Sequence, residues 1–354
     1  MPRVSRKLGF TLLSTALVLG GLEICARIGE LVWPLQPSRP LPAPGAADCM
    51  PDCMPGVAAM PEQPSGLPRG IRMVPHGQRA WALPPGAEMV ETNVAVRVNS
   101  LALRGPEVTA KADRELRILT LGDSSVFGFG VAEDAIFSSV AAGKLSEAWK
   151  RPVTPINGAT PGYTSLQALQ TLEDVGRRVQ PDFVVIATLW SDLFQTDSPL
   201  ERSGGQRHFL ALYRVSTRVL APLLSAPTVG WTQGDVGAVG MGREARVGLE
   251  RYRSTLNALV RLTRELGAEP VVLVLPAPID LDAVAAPELI SVYRGVLVDL
   301  GREHRLTVVD GPAAFVEKRA TNGDFFDQVH PSVSGHQKLG DALAEKLLSL
   351  NVGE

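Results

Sequence analysis

Two short stretches of the sequence hold residues whose types and spacing could do nucleophilic chemistry. In the first, the apolar strand pattern of Arg117–Leu121 runs into Gly122, where the backbone must bend, and Asp123 and Ser124 follow. Open parallel sheets place their chemistry at the carboxyl ends of strands, so Ser124 stands where a nucleophilic hydroxyl is usual. The structural alternative is that this serine only caps the next helix.

A serine nucleophile needs a base, and His330 is the histidine with the most suitable surroundings. Asp327 precedes it by three positions, close enough for the carboxylate to meet the imidazole and set its tautomer. Pro331 would stiffen the join to a final helix, for which Ser332 is a suitable N-cap. A structural polar pair is the alternative. The remaining four histidines lie in less suitable places. His76 is at the edge of a linker, His208 is in an insertion, His304 is at the end of a helix, and His336 is inside the last helix.

The elements that must bring these stretches together alternate between strand and helix. The strands are predicted at Arg117–Leu121, Val153–Asn157, Phe183–Leu189, Val271–Leu275 and Leu306–Val309. The helices are predicted near Phe137–Trp149, Ser165–Val179, Glu244–Leu266, Pro287–His304 and Ser332–Leu350. This alternation predicts an α/β domain with three layers, in which helices cover both faces of a five-stranded, mainly parallel sheet.

Composition excludes several classes of function. The chain of 354 residues is 45% hydrophobic and 20% charged, as expected of a globular protein with a sizeable core. A formal net charge of -2 and the lack of a basic stripe with interleaved aromatic residues argue against a nucleic-acid partner. The three cysteines form no CxxC pair and have no neighbouring histidine, so no metal site is predicted. Phosphate-loop motifs are absent as well, and no cofactor is predicted.

The N-terminal segment predicts export. Basic residues precede an apolar run at Leu8–Leu22, and the positive-inside rule would keep that basic flank in the cytoplasm. We predict that residues 1–32 form an uncleaved signal anchor in a membrane, which exports the rest of the chain. A cleaved signal peptide and a buried soluble helix are the alternatives. Residues 33–69 would form a linker rich in Pro and Gly, where export would permit a Cys49–Cys53 disulfide, with two free thiols as the alternative.

Residues 70–354 are predicted to form the catalytic domain, with two additions. Val94, Val96 and Val98 occur at every second position, which predicts a small accessory β element within residues 70–112. An insertion at residues 195–241, punctuated by Gly and Pro, could shape a lid and select the substrate.

Taken together, Gly122-Asp123-Ser124-Ser125 and the later Asp327-x-x-His330 resemble the GDSL, or SGNH, hydrolase superfamily. The likeness covers roughly residues 117–350 and is greatest to membrane-tethered bacterial members, through the line from Gly122 to Val131 and through Asn99-Ser100-x-x-x-Arg104. It implies a flavodoxin-like fold and a reaction that needs no cofactor or metal. It also implies that the signal anchor lies in a bacterial inner membrane, with the catalytic domain on the periplasmic or extracellular side. It also implies a catalytic triad in which Ser124 is the nucleophile, His330 the base and Asp327 its orienting partner.

The resemblance further implies an oxyanion hole made of the backbone N–H groups of Ser124 and Gly162. The family has an asparagine donor after the third strand, and this chain has Ser191 there, followed by Asp192. Serine is shorter, and losing one such donor lowers turnover by about 100- to 1000-fold. Asp192 and Asp123 are predicted to be structural, bonding loop amides near the site.

We therefore predict a serine esterase that hydrolyses an acyl or acetyl ester, on a small molecule or on a glycan or lipid of the envelope. Two alternatives remain at this point. The chain could transfer the acyl group to a glycan hydroxyl, or it could be a catalytically degenerate envelope protein that binds a glycan or a partner.

Overall fold

The computed structural model describes residues 70–193, 245–282 and 286–350, all within one compact unit. Several predictions lie outside the described residues: the signal anchor, the linker, the insertion, the Cys49–Cys53 disulfide and the position of His208. Within the described ranges, no helix is both long enough and apolar enough to cross a membrane.

A five-stranded parallel sheet forms the centre of the domain, which confirms the predicted α/β class. Numbered after the four short strands of the accessory element, its strands are β5 (Leu116–Gly122), β6 (Val153–Asn157), β7 (Phe183–Ala187), β8 (Glu269–Val274) and β9 (Thr307–Asp310). They lie in the order β6-β5-β7-β8-β9: the first strand occupies the second position, β6 is added on one side of it, and the remaining strands are added on the other side. β5 and β7 are buried along their whole length, because helices cover both faces of the sheet.

Helices pack on both faces. They are α1 (Ser124–Phe127), α2 (Phe137–Trp149), α3 (Ser165–Val179), α4 (Trp190–Leu193), α5 (Leu249–Glu265), α6 (Glu288–His304), α7 (Gly311–Glu317) and α8 (Val333–Leu348). On one face α8 packs against α2 and α7, and on the other α5 packs against α3 and α6. Single turns of 3₁₀ helix lie at Glu133–Ala135, Pro278–Leu281 and Asn322–Asp324.

Several element ends differ from the prediction, and two of these differences have clear local reasons. The strand predicted to continue to Leu189 ends at Ala187, because the Leu189 carbonyl accepts the N–H groups of Asp192 and Leu193 and so starts α4. The helix predicted from Glu244 begins at Leu249. Its upstream neighbour, Val247, donates its N–H to the Asp192 carbonyl and is held outside the helix.

The accessory β element consists of two antiparallel hairpins. Val96 and Val98 are buried in the main hydrophobic core, whereas the intervening Arg97 is exposed. The valines of the alternating pattern therefore pack against the main domain, and the residue between them points to solvent. The hairpin strands are β1 (Val74–His76), β2 (Ala80–Ala82), β3 (Glu88–Glu91) and β4 (Val94–Arg97).

His336 in α8 packs in the core, as predicted. Its Nδ1 accepts the N–H of Phe137 at 3.2 Å and its ring stacks on that of Phe137, while its Nε2 has no hydrogen-bond partner among the described residues. Burial, with smaller effects of Arg104 and His330, lowers the pKa of His336 to about 3.

This buried imidazole predicts a loss of stability in acid. The unfolded chain takes up a proton on His336 below about pH 6.5, whereas the folded chain does so only near pH 3, so stability falls as the pH drops between these values. At about 1.4 kcal/mol per pKa unit, the free energy of unfolding in urea should be about 2 kcal/mol lower at pH 5 than at pH 7. His336→Asn, whose Oδ1 can still accept the Phe137 N–H, should flatten this dependence. An equal pH dependence in both proteins would show that His336 does not cause it.

Candidate active site

The end of β5 and the loop before α8 meet, and they bring Ser124 and His330 together. His330 Nε2 lies 2.8 Å from Ser124 Oγ, and His330 Nδ1 lies 2.6 Å from an oxygen of Asp327. The second Asp327 oxygen accepts the N–H groups of Val329 and His330, each at 2.9 Å. A hydroxyl, an imidazole and a carboxylate therefore form one line of hydrogen bonds.

The carboxylate sets the tautomer of the imidazole. Burial acts to raise the pKa of Asp327, but hydrogen bonds and charge attraction from His330 outweigh it and leave that pKa below its usual value. An ionised Asp327 accepts from Nδ1–H, which leaves the lone pair of Nε2 directed at the Ser124 hydroxyl. The His330 side chain is 17% exposed and Ser124 is half-buried, so a substrate can reach both.

A tight turn after β5 presents Ser124. A Cβ on Gly122 would lie 2.5 Å from the Ala187 carbonyl oxygen and equally close to the Val126 side chain, so only glycine fits. Asp123 caps α1, its carboxylate accepting the N–H of Ser125 at 3.0 Å and that of Ser191 at 3.0 Å. Burial raises the pKa of this fully enclosed carboxyl group, against the effect of those hydrogen bonds. Asp123 is thus structural, as predicted.

A contact that the sequence did not indicate joins the serine turn to the histidine loop. The hydroxyl of Ser125, which is 1% exposed, donates to the Val329 carbonyl at 2.8 Å. In the same loop, Phe326 donates its N–H to the His330 carbonyl. The Phe129 ring lies 5.1 Å from the imidazole of His330, centroid to centroid. These contacts hold the loop that carries His330 against the turn that carries Ser124.

The two loops predicted to carry oxyanion donors also reach the β5 turn. After β6, Gly158 and Thr160 donate their N–H groups to the Thr120 and Gly122 carbonyls, and Gly162 follows with a φ of 79°, in the left-handed region that favours glycine. After β7, Ser191 is tied to Asp123 as described. Ser191 itself is buried, with 4% of its surface exposed.

Asp192 connects the loop after β7 to the start of α3. Its carboxylate accepts the Ser165 hydroxyl at 2.6 Å and the Ser165 N–H at 3.0 Å, consistent with the loop-amide role predicted for it. Burial raises the pKa of Asp192 to about 7, although the hydrogen bonds from Ser165 oppose this. The Trp190 side chain beside it is 2% exposed and belongs to the core.

The accessory β element supports the segment that follows Ser124. The Arg104 guanidinium donates to the carbonyls of Phe127 at 2.9 Å, Gly128 at 2.7 Å and Val131 at 2.5 Å. Burial lowers the pKa of Arg104 to about 10. Glu91 accepts the N–H of Gly130 at 2.6 Å. Sequence reasoning gave neither side chain a role, although Arg104 stood in one of the stretches that carried the family resemblance.

The described part of the chain holds no group of three or more His, Cys, Asp or Glu side chains that could bind a metal ion.

Comparison with known proteins gives one family. A sequence model described as the GDSL-like Lipase/Acylhydrolase family matches residues 120–338, a range that includes Ser124, Asp327 and His330. A search of curated proteins finds no significant match.

Among solved structures, the chain is similar to LAE5, an alpha/beta hydrolase enzyme from the metagenome of Lake Arreo, Spain. The two are 15% identical, with a TM-score of 0.45, and the match covers 67% of this chain and 96% of that one. It is also similar to Axe2, an acetylxylan esterase from Geobacillus stearothermophilus, with 18% identity and a TM-score of 0.45 over 66% of this chain and 94% of that one.

Proposed function

This chain belongs to the GDSL-like Lipase/Acylhydrolase family and is an SGNH-type ester hydrolase, and from that premise we propose that Ser124, His330 and Asp327 are its catalytic triad. The observation that carries the proposal is the unbroken line of hydrogen bonds, 2.8 Å from hydroxyl to imidazole and 2.6 Å from imidazole to carboxylate. Both distances lie in the range in which a base can take a proton from a nucleophile in the free enzyme.

The reaction follows from the tautomer. His330 Nε2 takes the Ser124 proton as Oγ attacks the ester carbonyl carbon, and the carbonyl electrons move to its oxygen. When the tetrahedral intermediate collapses, the protonated imidazole gives its proton to the leaving alcohol and an acyl-enzyme remains. Water, deprotonated by His330, then attacks the acyl carbon. The bond from that carbon to Ser124 Oγ breaks, the imidazolium returns its proton to Oγ, and the carboxylic acid is released. Asp327 stabilises the imidazolium in both steps.

Three donors would stabilise the oxyanion in this proposal: the N–H of Ser124, the N–H of Gly162 and the hydroxyl of Ser191. Ser124 is the first residue of α1, where backbone N–H groups have no partner within the helix. The left-handed backbone of Gly162 supports the second assignment. The bond from the Ser191 N–H to Asp123, the residue that caps α1, places Ser191 beside Ser124 and supports the third.

Substitution of Ser191 tests whether a hydroxyl acts as a donor in place of the family's asparagine. We expect Ser191→Ala to lower kcat about tenfold with little change in KM. This fall in kcat is smaller than the roughly 100- to 1000-fold loss caused by removing a well-placed side-chain donor. Ser191→Asn, with its longer amide, should raise kcat above that of the Ala variant. Steady-state kinetics on p-nitrophenyl acetate measure both. An Ala variant with the kcat of the parent would remove Ser191 from the oxyanion hole.

We propose an acyl or acetyl ester on an envelope glycan or lipid as the substrate, and a membrane-anchored, exported location. The support is the basic and then apolar N-terminal sequence, since anchoring on the outer side of a membrane would place the enzyme beside such esters. Fusion of a reporter that is active only outside the cytoplasm to the C-terminus tests the location. Incubation with acetylated oligosaccharides, with and without unacetylated acceptors, separates hydrolysis from acyl transfer.

The direct test of the proposed function is turnover of p-nitrophenyl acetate together with labelling by a fluorophosphonate probe. We expect the purified protein to be active and its label to be found on Ser124. A folded protein that neither turns over the ester nor reacts with the probe would instead support the degenerate binding protein.

A further inference from the structure

One arginine lies between the two loops to which the proposed function assigns oxyanion donors. Nη1 of Arg246 donates to the Gly162 carbonyl at 2.9 Å and to the Ser191 carbonyl at 3.2 Å. Gly162 follows β6, and Ser191 follows β7. One nitrogen therefore bonds a carbonyl of each loop and links the two loops directly.

The Gly162 loop is also in contact with Trp81, in the first hairpin. The indole N–H of Trp81 donates to the Pro161 carbonyl at 3.3 Å, and a Cβ on Gly162 would lie 3.3 Å from the indole ring. Arg246 Cζ lies 5.9 Å from the Trp81 ring centroid, and the Trp81 carbonyl accepts the Tyr163 hydroxyl at 2.6 Å. The indole ring and the guanidinium group therefore lie next to each other, and each donates a hydrogen bond to the Gly162 loop.

We propose that Arg246 is a positioning residue of the oxyanion hole, fixing the Gly162 N–H and the Ser191 hydroxyl relative to Ser124. This inference rests on the proposed function. A glycine with a left-handed backbone has no side chain to hold it in place, so its orientation must come from outside the loop. The reach of a serine hydroxyl is short, and a shift of about 1 Å in a reacting group can lower the rate about 100-fold.

The charge of Arg246 fits the same role. Two enclosed carboxyl groups lie beside Ser191, because Asp123 accepts its N–H and Asp192 follows it in the chain, and each is 0% exposed. Negative charge there would disfavour a nearby oxyanion, and a guanidinium bonded to the same loops offsets that charge. The electrostatic attraction of Arg246 to Asp192 opposes the rise that burial causes in the pKa of Asp192.

Three variants of the full-length protein test this inference. Arg246→Met keeps most of the side-chain volume but removes both hydrogen bonds, and Arg246→Lys keeps a cationic donor that can reach one carbonyl. The matched control is Arg261→Met in α5, where the arginine side chain is 69% exposed and its ion pair is with Glu265 on the same helix. Turnover of p-nitrophenyl acetate is measured per active site, with the sites counted by complete fluorophosphonate labelling, so that an unfolded fraction does not enter kcat.

We expect Arg246→Met to lower kcat per labelled site about 100-fold with KM changed little, Arg246→Lys to recover part of the loss, and Arg261→Met to match the parent protein. If the Met variant does not fold, the Lys variant provides the test, and we expect it to show a lower kcat with KM changed little. A parental kcat per site in the folded Arg246 variants would overturn the inference. Ser124→Ala, measured beside them, separates the two proposals: if it remains active the triad is wrong, whereas if it is inactive and Arg246→Met is fully active only the role of Arg246 is wrong.

Discussion

Ser124→Ala is expected to lower ester turnover by about 10⁴-fold or more, because no acyl-enzyme can form without the nucleophile. The expected change in stability is small. Among the described residues the Ser124 hydroxyl bonds only to His330, and the side chain is half-buried, so its removal leaves no enclosed polar group without a partner.

The neighbouring serine is the matched control for this variant. The Ser125 hydroxyl is enclosed and donates to the Val329 carbonyl across the site, so Ser125→Ala should lower the free energy of unfolding by about 1–3 kcal/mol while the folded protein keeps its nucleophile. Fluorophosphonate labelling followed by peptide mass spectrometry should detect the adduct in the parent and in Ser125→Ala, and should find none in Ser124→Ala. Turnover in Ser124→Ala within about tenfold of the parent would end the case for this triad.

Local patterns predicted the layers of the fold closely. The spacing of apolar residues in β6, α2 and α3 can be read from each segment by itself. The predicted bounds of these three elements match the structure, at Val153–Asn157, Phe137–Trp149 and Ser165–Val179 respectively. The end of β7 could not be predicted in this way. It is set by the hydrogen bonds that start α4, and an apolar run continuing through Leu189 does not show where such a turn begins.

The candidate site was predictable only where a motif indicated it. The parallel order of the strands and two short motifs were enough to bring Ser124 and His330 to one sheet edge. The contacts that hold them there join segments far apart in the chain, with 204 positions between Ser125 and Val329 and 68 between Asp123 and Ser191. Hydrophobic periodicity carries no information about such polar contacts, and for the same reason the bonds made by Arg104 and Arg246 could be found only from coordinates.

The second large effect is expected from Asp327→Asn, which should lower kcat by about 10³- to 10⁴-fold. In the parent, Asp327 accepts from His330 Nδ1 at 2.6 Å, which leaves Nε2 free to accept the Ser124 proton. The amide can keep its oxygen on the Val329 and His330 N–H groups, and its NH₂ then faces Nδ1. The imidazole would then carry its proton on Nε2. That N–H would donate to the Ser124 hydroxyl, and Nε2 could not accept the proton of the nucleophile.

The control for this variant lies in the same loop. Asp324 bonds Lys338 at 2.8 Å and the Thr321 N–H, away from the imidazole, so Asp324→Asn should lower stability but change kcat per folded enzyme little. Stopped-flow fluorophosphonate labelling adds a second measurement. Ser124 should still be labelled completely in Asp327→Asn, but far more slowly than in the parent, because the nucleophile is present and its base is in the wrong tautomer. If the labelling rate equalled that of the parent, Ser124 would not depend on Asp327 for its activation, and the imidazole would have to be oriented by its packing against Phe129 and its loop instead.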